Sequence, residues 1–441
     1  MKKLLELFLV FTLIFCCFLV PNTTQAAAPQ FSLPANEFVR KIKVGWNLGN
    51  TFESCQTWGN IPNNPTPDQQ ETGWGNPKTT KQMIDYVKKA GFNAVRMPVT
   101  WGLQVEENNG TYTIKQDWMN RVKEVVGYCI SNNMYVIVNM HHDDRSWLNI
   151  SADNADWIKI KDKYRQLWKQ IATAFKDYDE RLILEGGNEI LATSKYDDCG
   201  KKNADYCWWG HNQKVFDRQN ELYEIFVDTV RHSNGYNDVR YLVLPTYGAQ
   251  WYDNQVNKLY TPDENETHLI IDIHWYSVSD QQNLSTARNF ANIWVTGANK
   301  RNMGIILGEC GFSEKYDSNT KVNWANTFIK LLAEEYQIPA FLWDDGGSMK
   351  ILDRKNVQWT SNSTLYVKAV IKNTVILQGD VNNDGAVTLV DVYLYRMNLA
   401  HANSIVIPKK ADLNFDGEYN IKDILILRKY LAGEIKELPT L

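Results

Sequence analysis

Two glutamates in this chain end apolar runs, where a charge is uncomfortable. In LILEGGNEI, Leu182 to Ile190, three aliphatic residues lead through Glu185, two glycines and Asn188 to Glu189; in GIILGECG, from Gly304, a similar run ends at Glu309. A carboxylate so placed either reaches water or is held for chemistry, because burying it unpaired forces its pKa upward. Arg96, His141, His142, Asn188, His274, Tyr276 and Trp343 also stand at or near the ends of apolar runs. Two opposed carboxylates are what cleavage of a glycosidic bond needs. One protonates the departing oxygen while the other attacks carbon or activates water, and a separation of about 5–5.5 Å leads to retention of configuration.

Charge assigns the neighbours their parts. Tyr276 and Arg96 can hydrogen-bond a carboxylate, which would keep Glu309 ionised and lower its pKa, as a nucleophile requires. Glu189 instead has to arrive protonated. Asn188 can donate to a sugar hydroxyl beside the reacting carbon. His141 and His274 can bond carboxylate or sugar oxygens; strand alternation lets only one of His141 and His142 face inward, and His141 is favoured. Trp343 suits a stacking platform, with Trp101, Trp208 and Trp275 as weaker candidates for outlying subsites. Adjacent histidines ligate one ion poorly and no HExxH helix exists, so a catalytic metal is not expected.

The elements that must position these residues recur with a regular period. Eight apolar runs begin at Lys43, Asn93, Tyr135, Arg181, Arg240, His268, Gly304 and Pro339, separated by polar loops and amphipathic stretches such as TTKQMIDYVKKAGF. Another such stretch, NELYEIFVDTVRHSNG, should close on Gly235 as a C-cap. Eight strands alternating with helices predict an α/β fold, a closed (β/α)8 TIM barrel, whose C-terminal strand ends form one face. All the polar candidates fall at that face. No GxGxxG follows the first run, which counts against a dinucleotide fold.

Composition narrows the ligand. A net charge of −4 over 441 residues offers no field for nucleic acid, whereas 16 Trp and 22 Tyr exceed what a core requires and suit sugar faces. Lys2 and Lys3, an apolar run and small residues near Ala26–Ala28 predict a signal peptide over 1–28 and a secreted chain with no further membrane span. Five cysteines then remain, too few for a disulfide framework. Cys199 and Cys207 flank a polar loop and pairing between them stays open; Cys129 and Cys310 read as small buried hydrophobes.

The motifs WNLGNTFE, AVRMPVTW, VNMHHD, GGNE, IHWY, LGECG and WDDGG, in this order from Val44 to Gly347, resemble glycoside hydrolase family 5, retaining (β/α)8 cellulases and related β-glycanases. The resemblance implies Glu189 as acid/base and Glu309 as nucleophile, with Arg96, His141, Asn188, His274, Tyr276 and Trp343 around them. It also implies a non-proline cis bond after Trp343. Ile190 stands where a proline is common and Cys310 where an aromatic is; neither change removes a catalytic group. Endo-β-1,4-glucanase is the expected activity, on cellulose or a related β-glucan, without a catalytic cofactor. A mannanase or xyloglucanase of the same family is the alternative, and a catalytically silent glycan-binding subunit a third.

Past the barrel, expected over 29–373, a short tether over 374–379 leads to a duplicated pattern. DVNNDGAVTLVD from Asp380 and DLNFDGEYNIKD from Asp412 each place oxygen ligands at loop positions 1, 3, 5 and 12 with glycine at 6. That is the calcium-loop requirement, and it selects Asp380, Asn382, Asp384 and Asp391 for one ion and Asp412, Asn414, Asp416 and Asp423 for a second. An apolar helix follows each loop. The pair, over 380–441, resembles a dockerin, a small all-α module that binds a cohesin on a cellulosome scaffold. The resemblance implies that partner choice rests on Leu389 and Val390 in one copy and Ile421 and Lys422 in the other, which differ.

Overall fold

The computed structural model describes residues 31–197, 199, 206–374, 378–382, 386–400 and 411–439. The expected leader, much of the tether and Asp384 lie outside the described residues. Eight parallel strands form a closed barrel: β1 (Val44–Leu48), β2 (Ala94–Met97), β3 (Tyr135–Asn139), β4 (Leu182–Glu185), β5 (Leu242–Pro245), β6 (Leu269–His274), β7 (Gly304–Cys310) and β8 (Ala340–Asp344). The ring closes because β1 pairs with both β2 and β8. Covered by helices outside and packed side chains within, the strands are buried throughout except at Tyr135 and Trp343, so they read as continuous apolar runs rather than alternating ones.

The intervening helices follow from local chemistry. In α1 (Lys81–Ala90), Met83, Ile84 and Val87 share the buried face, the Thr80 hydroxyl accepts the Met83 N–H, and Gly91 ends the helix in the left-handed conformation. The longer α2 (Gln116–Ser131) and α3 (Asn154–Phe175) likewise bury one apolar face, and the Asp153 carboxylate caps α3 by accepting the Asp156 N–H. In α4 (Gln213–Arg231), Phe226 packs on Trp168 at 4.4 Å between ring centroids and is fully buried, which stabilises by about 1.5–3 kcal/mol. This helix stops at Arg231 with His232 as its cap, short of the Gly235 stop that spacing suggested: Asn234 and Gly235 both take positive φ in a separate turn. No helix among the described residues is long and apolar enough to cross a membrane.

Register carries the functional residues to one height. Asn47 of β1 lies opposite Arg96 on one side and Trp343 on the other, Asn139 opposite Glu185, and His274 opposite Glu309, the last through a local shift after Ile273. Close packing needs two glycines here. A Cβ on Gly49 would lie 2.8 Å from the Trp343 ring, and one on Gly308 would lie 2.2 Å from an Asp272 carboxylate oxygen.

Cys199 and Cys207 are joined by a disulfide in the loop after β4, while Cys55, Cys129 and Cys310 are free and buried. Near the C-terminus, α5 (Leu389–Ala400) and α6 (Ile421–Leu431) share a small core of Val381, Val392, Tyr395, Ala411, Leu413, Ile424 and Leu427. So few apolar groups support a fold only with outside help, such as a bound ion.

Candidate active site

Arg96 organises the barrel mouth. Wholly buried, it donates through Nε and Nη2 to both Glu185 oxygens at 2.8 and 2.7 Å, through Nη2 to Asn188 Oδ1 at 2.9 Å, and through Nη1 to Asn47 Oδ1 at 3.1 Å and Glu309 Oε1 at 2.8 Å. The two-pronged contact uses the guanidinium's planar fork, which lysine lacks. Because Asn188 accepts from Arg96 through its oxygen, its amide nitrogen is the end left to donate to a ligand.

The other Glu309 oxygen accepts from the Tyr276 hydroxyl at 2.8 Å. His274 lies between the two glutamates, with Nδ1 3.0 Å from Glu189 Oε1 and 3.5 Å from Glu309 Oε2, and Nε2 3.2 Å from Asp272. Carboxylate oxygens of Glu189 and Glu309 lie within 4.8 Å of each other. Asp272 in turn accepts the Gly308 N–H at 2.7 Å, so β6 and β7 are locked at the height of the pair.

The charges do not balance if every group ionises: Arg96 and His274 face Glu185, Asp272, Glu189 and Glu309. Burial alone would push the His274 imidazole down, but Glu309 and Asp272 outweigh it and hold the ring protonated, its pKa raised to about 10. Burial pushes Glu185 up to about 7 against the pull of Arg96. Burial also moves Glu309 upward, opposed by His274 and Arg96 and reinforced by Glu189. The expected lowering of Glu309 therefore does not hold, because desolvation exceeds the gain from its donors.

A folded-state pKa raised above the unfolded value stabilises below the unfolded value and loses that contribution as pH rises through the folded one. For His274 the window runs from the ordinary value of 6.5 to about 10. Thermal melting of the whole chain should show Tm falling across it, and His274→Asn should flatten that fall. An unchanged slope in the variant would mean that the ring is neutral in the native state.

Both histidines of the pair reach the mouth. β3 ends at Asn139, so strand alternation no longer governs 141 and 142. His141 Nδ1 accepts from Asn139 Nδ2 at 2.9 Å, an amide whose orientation is set because its oxygen takes the Val99 N–H at 3.0 Å. The ring is thus neutral with its proton on Nε2, consistent with burial and the nearby cations holding it well below its usual pKa. It stacks parallel to Trp343, centroids 5.9 Å apart. His142 turns to the rings of Trp58 and Trp74 at 4.8 and 5.8 Å, beside a groove of about 550 Å³ that Asn50 also lines.

Of the outlying tryptophans, Trp101 and Trp275 are wholly buried, the former donating to the Asn139 carbonyl, so neither offers a surface to a ligand; Trp208 is half-buried. The exposed rings on the loops after β1, β4 and β5 are instead Trp58, Trp209 and Tyr252. The bond after Trp343 is trans, against expectation. Sequence reasoning also passed over Glu185, Asp272, Asn47 and Asn139. A signal was present for Asp272, which lies two residues before His274 on the same strand, the spacing that puts side chains on one face.

In the C-terminal module, Asp391 and Asp423 are fully buried and accept backbone N–H groups of their own loops. Leu389, Val390 and Ile421 are exposed apolar residues, and Lys422 pairs with Asp416 at 3.1 Å.

A closed parallel barrel whose fourth and seventh strands bring two glutamates onto one protonated histidine is the arrangement of a carboxylate-pair glycoside hydrolase. Comparison with known proteins places it further. Residues 52–348 match the model of the cellulase family, glycosyl hydrolase family 5, and residues 378–432 match the dockerin type I domain. The chain belongs to glycosyl hydrolase family 5 and carries a dockerin type I domain. It is 32% identical over 362 residues to Endoglucanase A of Clostridium longisporum, covering 77% of this chain and 65% of that one. It is 32% identical over 429 residues to Cellulase/esterase CelE of Acetivibrio thermocellus, covering 92% of this chain and 48% of that protein. The chain thus spans 65% of the length of the first of these relatives and 48% of the second. Among solved structures, a GH5-4 broad specificity endoglucanase from Ruminococcus champanellensis with bound cellotriose aligns with a TM-score of 0.69 at 34% identity, over 78% of this chain and all of that one.

Proposed function

We propose that this chain is a secreted, retaining endo-β-1,4-glucanase that cleaves cellulose or a related β-glucan and joins a cellulosome through its dockerin. The observation that carries the mechanism is the short approach of the Glu189 and Glu309 oxygens, within 4.8 Å. So close an approach is nearer the separation of roughly 5–5.5 Å used for direct attack than the roughly 6.5–9.5 Å that leaves room for an intervening water. Glu309 attacks the anomeric carbon while Glu189 gives its proton to the departing glycosidic oxygen. Glu189 then takes a proton from the incoming water, and Glu309 leaves as a carboxylate. Arg96 and Tyr276 hold Glu309 in line for both steps.

The names of the relatives and the cellotriose-bound neighbour support a β-glucan substrate. Proton NMR of the first-formed products on a soluble glucan, with reducing-end release on xyloglucan, mannan and xylan in parallel, tests both points. Inversion at the anomeric carbon would sink the mechanism. Binding of glycan without cleavage of any of them would favour a silent subunit.

The donor set of the C-terminal loops fits calcium. Asp412 Oδ1 is buried with no hydrogen-bond partner, Asn414, Asp416 and Asp423 add oxygens, and Gly417 supplies the positive φ of the sixth position. Asp380, Asn382, Asp384 and Asp391 form the corresponding set in the first loop. These residues would hold two ions, whose binding energy becomes folding energy for a module with so small a core. Excess chelator should therefore unfold the module after about residue 379 and abolish cohesin binding, read by proteolysis and calorimetry. Cohesin affinity unchanged in chelator would refute the reading.

A further inference from the structure

We infer that Tyr395 is a positioning residue for the second calcium loop, through which the ion affinity of that loop depends on the helix of the first repeat. This rests on the calcium reading above. The two loops present matching donors to the carboxylate at their twelfth position. Asp391 accepts from the N–H groups of Val381 at 2.7 Å, Asn382 at 3.3 Å and Thr388 at 2.7 Å. Asp423 accepts from Leu413 at 2.8 Å, Asn414 at 3.3 Å and Asn420 at 2.9 Å, the same positions one repeat later.

The symmetry breaks at the fourth donor. In the first loop it is local, the Thr388 hydroxyl, 3.3 Å from Asp391 Oδ2. The second loop has Asn420 at that position, and its side-chain oxygen is occupied in capping α6 through the Lys422 N–H. Its carboxylate takes the Tyr395 hydroxyl instead, at 3.0 Å to Asp423 Oδ2, from α5 of the other repeat. Tyr395 is fully buried in the shared core, and its counterpart in the second repeat is Leu427, which has no hydroxyl. A buried phenol needs a partner, and here the partner is a group that ligates the ion.

Donors to a ligating carboxylate fix its orientation, and their loss weakens metal binding by roughly 10–100-fold. The first loop carries its equivalent donor within itself, so it lacks this dependence. Ordering of α5, whose first turn carries Asp391 of the first loop, thereby favours ion binding in the second, and linkage makes the effect reciprocal.

The test is calorimetric titration of the full chain with calcium, for wild type, Tyr395→Phe, Asp412→Ala and the double variant, with circular dichroism of each loaded form. Expected are two ions in wild type, about 10–100-fold weakening of one of them in Tyr395→Phe, and no further effect of Tyr395→Phe on the ion that remains in Asp412→Ala. Unchanged affinities in Tyr395→Phe would overturn the proposal. So would weakening of the remaining ion in the double variant, which is what a merely structural role would produce. A wild type that binds no calcium would overturn the calcium reading first, and the proposal with it.

Discussion

Glu309→Gln is expected to lower kcat on a soluble β-glucan by roughly four to six orders of magnitude while leaving the fold in place. The amide matches the carboxylate in shape but cannot attack carbon. Arg96 keeps its two bonds to Glu185, so no buried cation is stranded when the charge at 309 goes. Tyr276 can reverse its hydroxyl to accept from the new amide. The measurement is single-turnover and steady-state hydrolysis, with Tm as a check on folding. Binding of oligosaccharide should change little, because the interaction removed is made mainly in the transition state. Residual turnover above about 1% of wild type with an unchanged Tm would remove Glu309 from the nucleophile's role. Glu189→Gln should differ in kind: it loses polymer hydrolysis but retains glycosylation by an aryl glycoside, whose leaving group departs without a proton.

Arg96→Met is expected to cost about 3–5 kcal/mol of stability at pH 8, because it removes the two-pronged partner of buried Glu185 and leaves Glu309 with His274 as its remaining cation. For a barrel of this size that is a fall in Tm of roughly 10 °C. The loss should shrink at pH 5. Glu185, with a pKa raised to about 7, is then protonated and tolerates the missing partner better. Urea unfolding of wild type and variant at both pH values reads the difference. Equal losses at the two pH values would mean that packing, not charge, makes Arg96 matter. Arg96→Lys should recover only part of the stability, since one ammonium cannot reach Glu185, Asn188 and Glu309 from one position.

Much of the site was legible because a barrel converts a one-dimensional regularity into a place. Each apolar run ends at the same face, so a residue such as Glu189 or His274 could be assigned to the mouth without knowing any distance. The reading weakened where side chains depend on neighbours distant in sequence. Trp101 and Trp275 looked like sugar platforms by type, yet both are buried under loops whose paths no local pattern shows. Glu185 was read only as the charge that interrupts a strand; its role as the main partner of Arg96 needs the juxtaposition of β2 and β4, which β3 separates.

By itself, the sequence determined the eightfold alternation, the identity and order of the strand-end residues, and the twice-repeated loop with its ligand types. These follow from periodicity and from chemistry carried by single residues. Only the tertiary structure decided the electrostatic state of the site and the asymmetry of the repeats. Whether Glu309 sits above or below its ordinary pKa depends on a balance between desolvation and the charges of His274, Arg96 and Glu189, each from a different part of the barrel. Whether a tyrosine in one helix serves the loop of another depends on how two small elements pack. Both are sums over neighbours brought together by folding, and no local pattern contains such a sum.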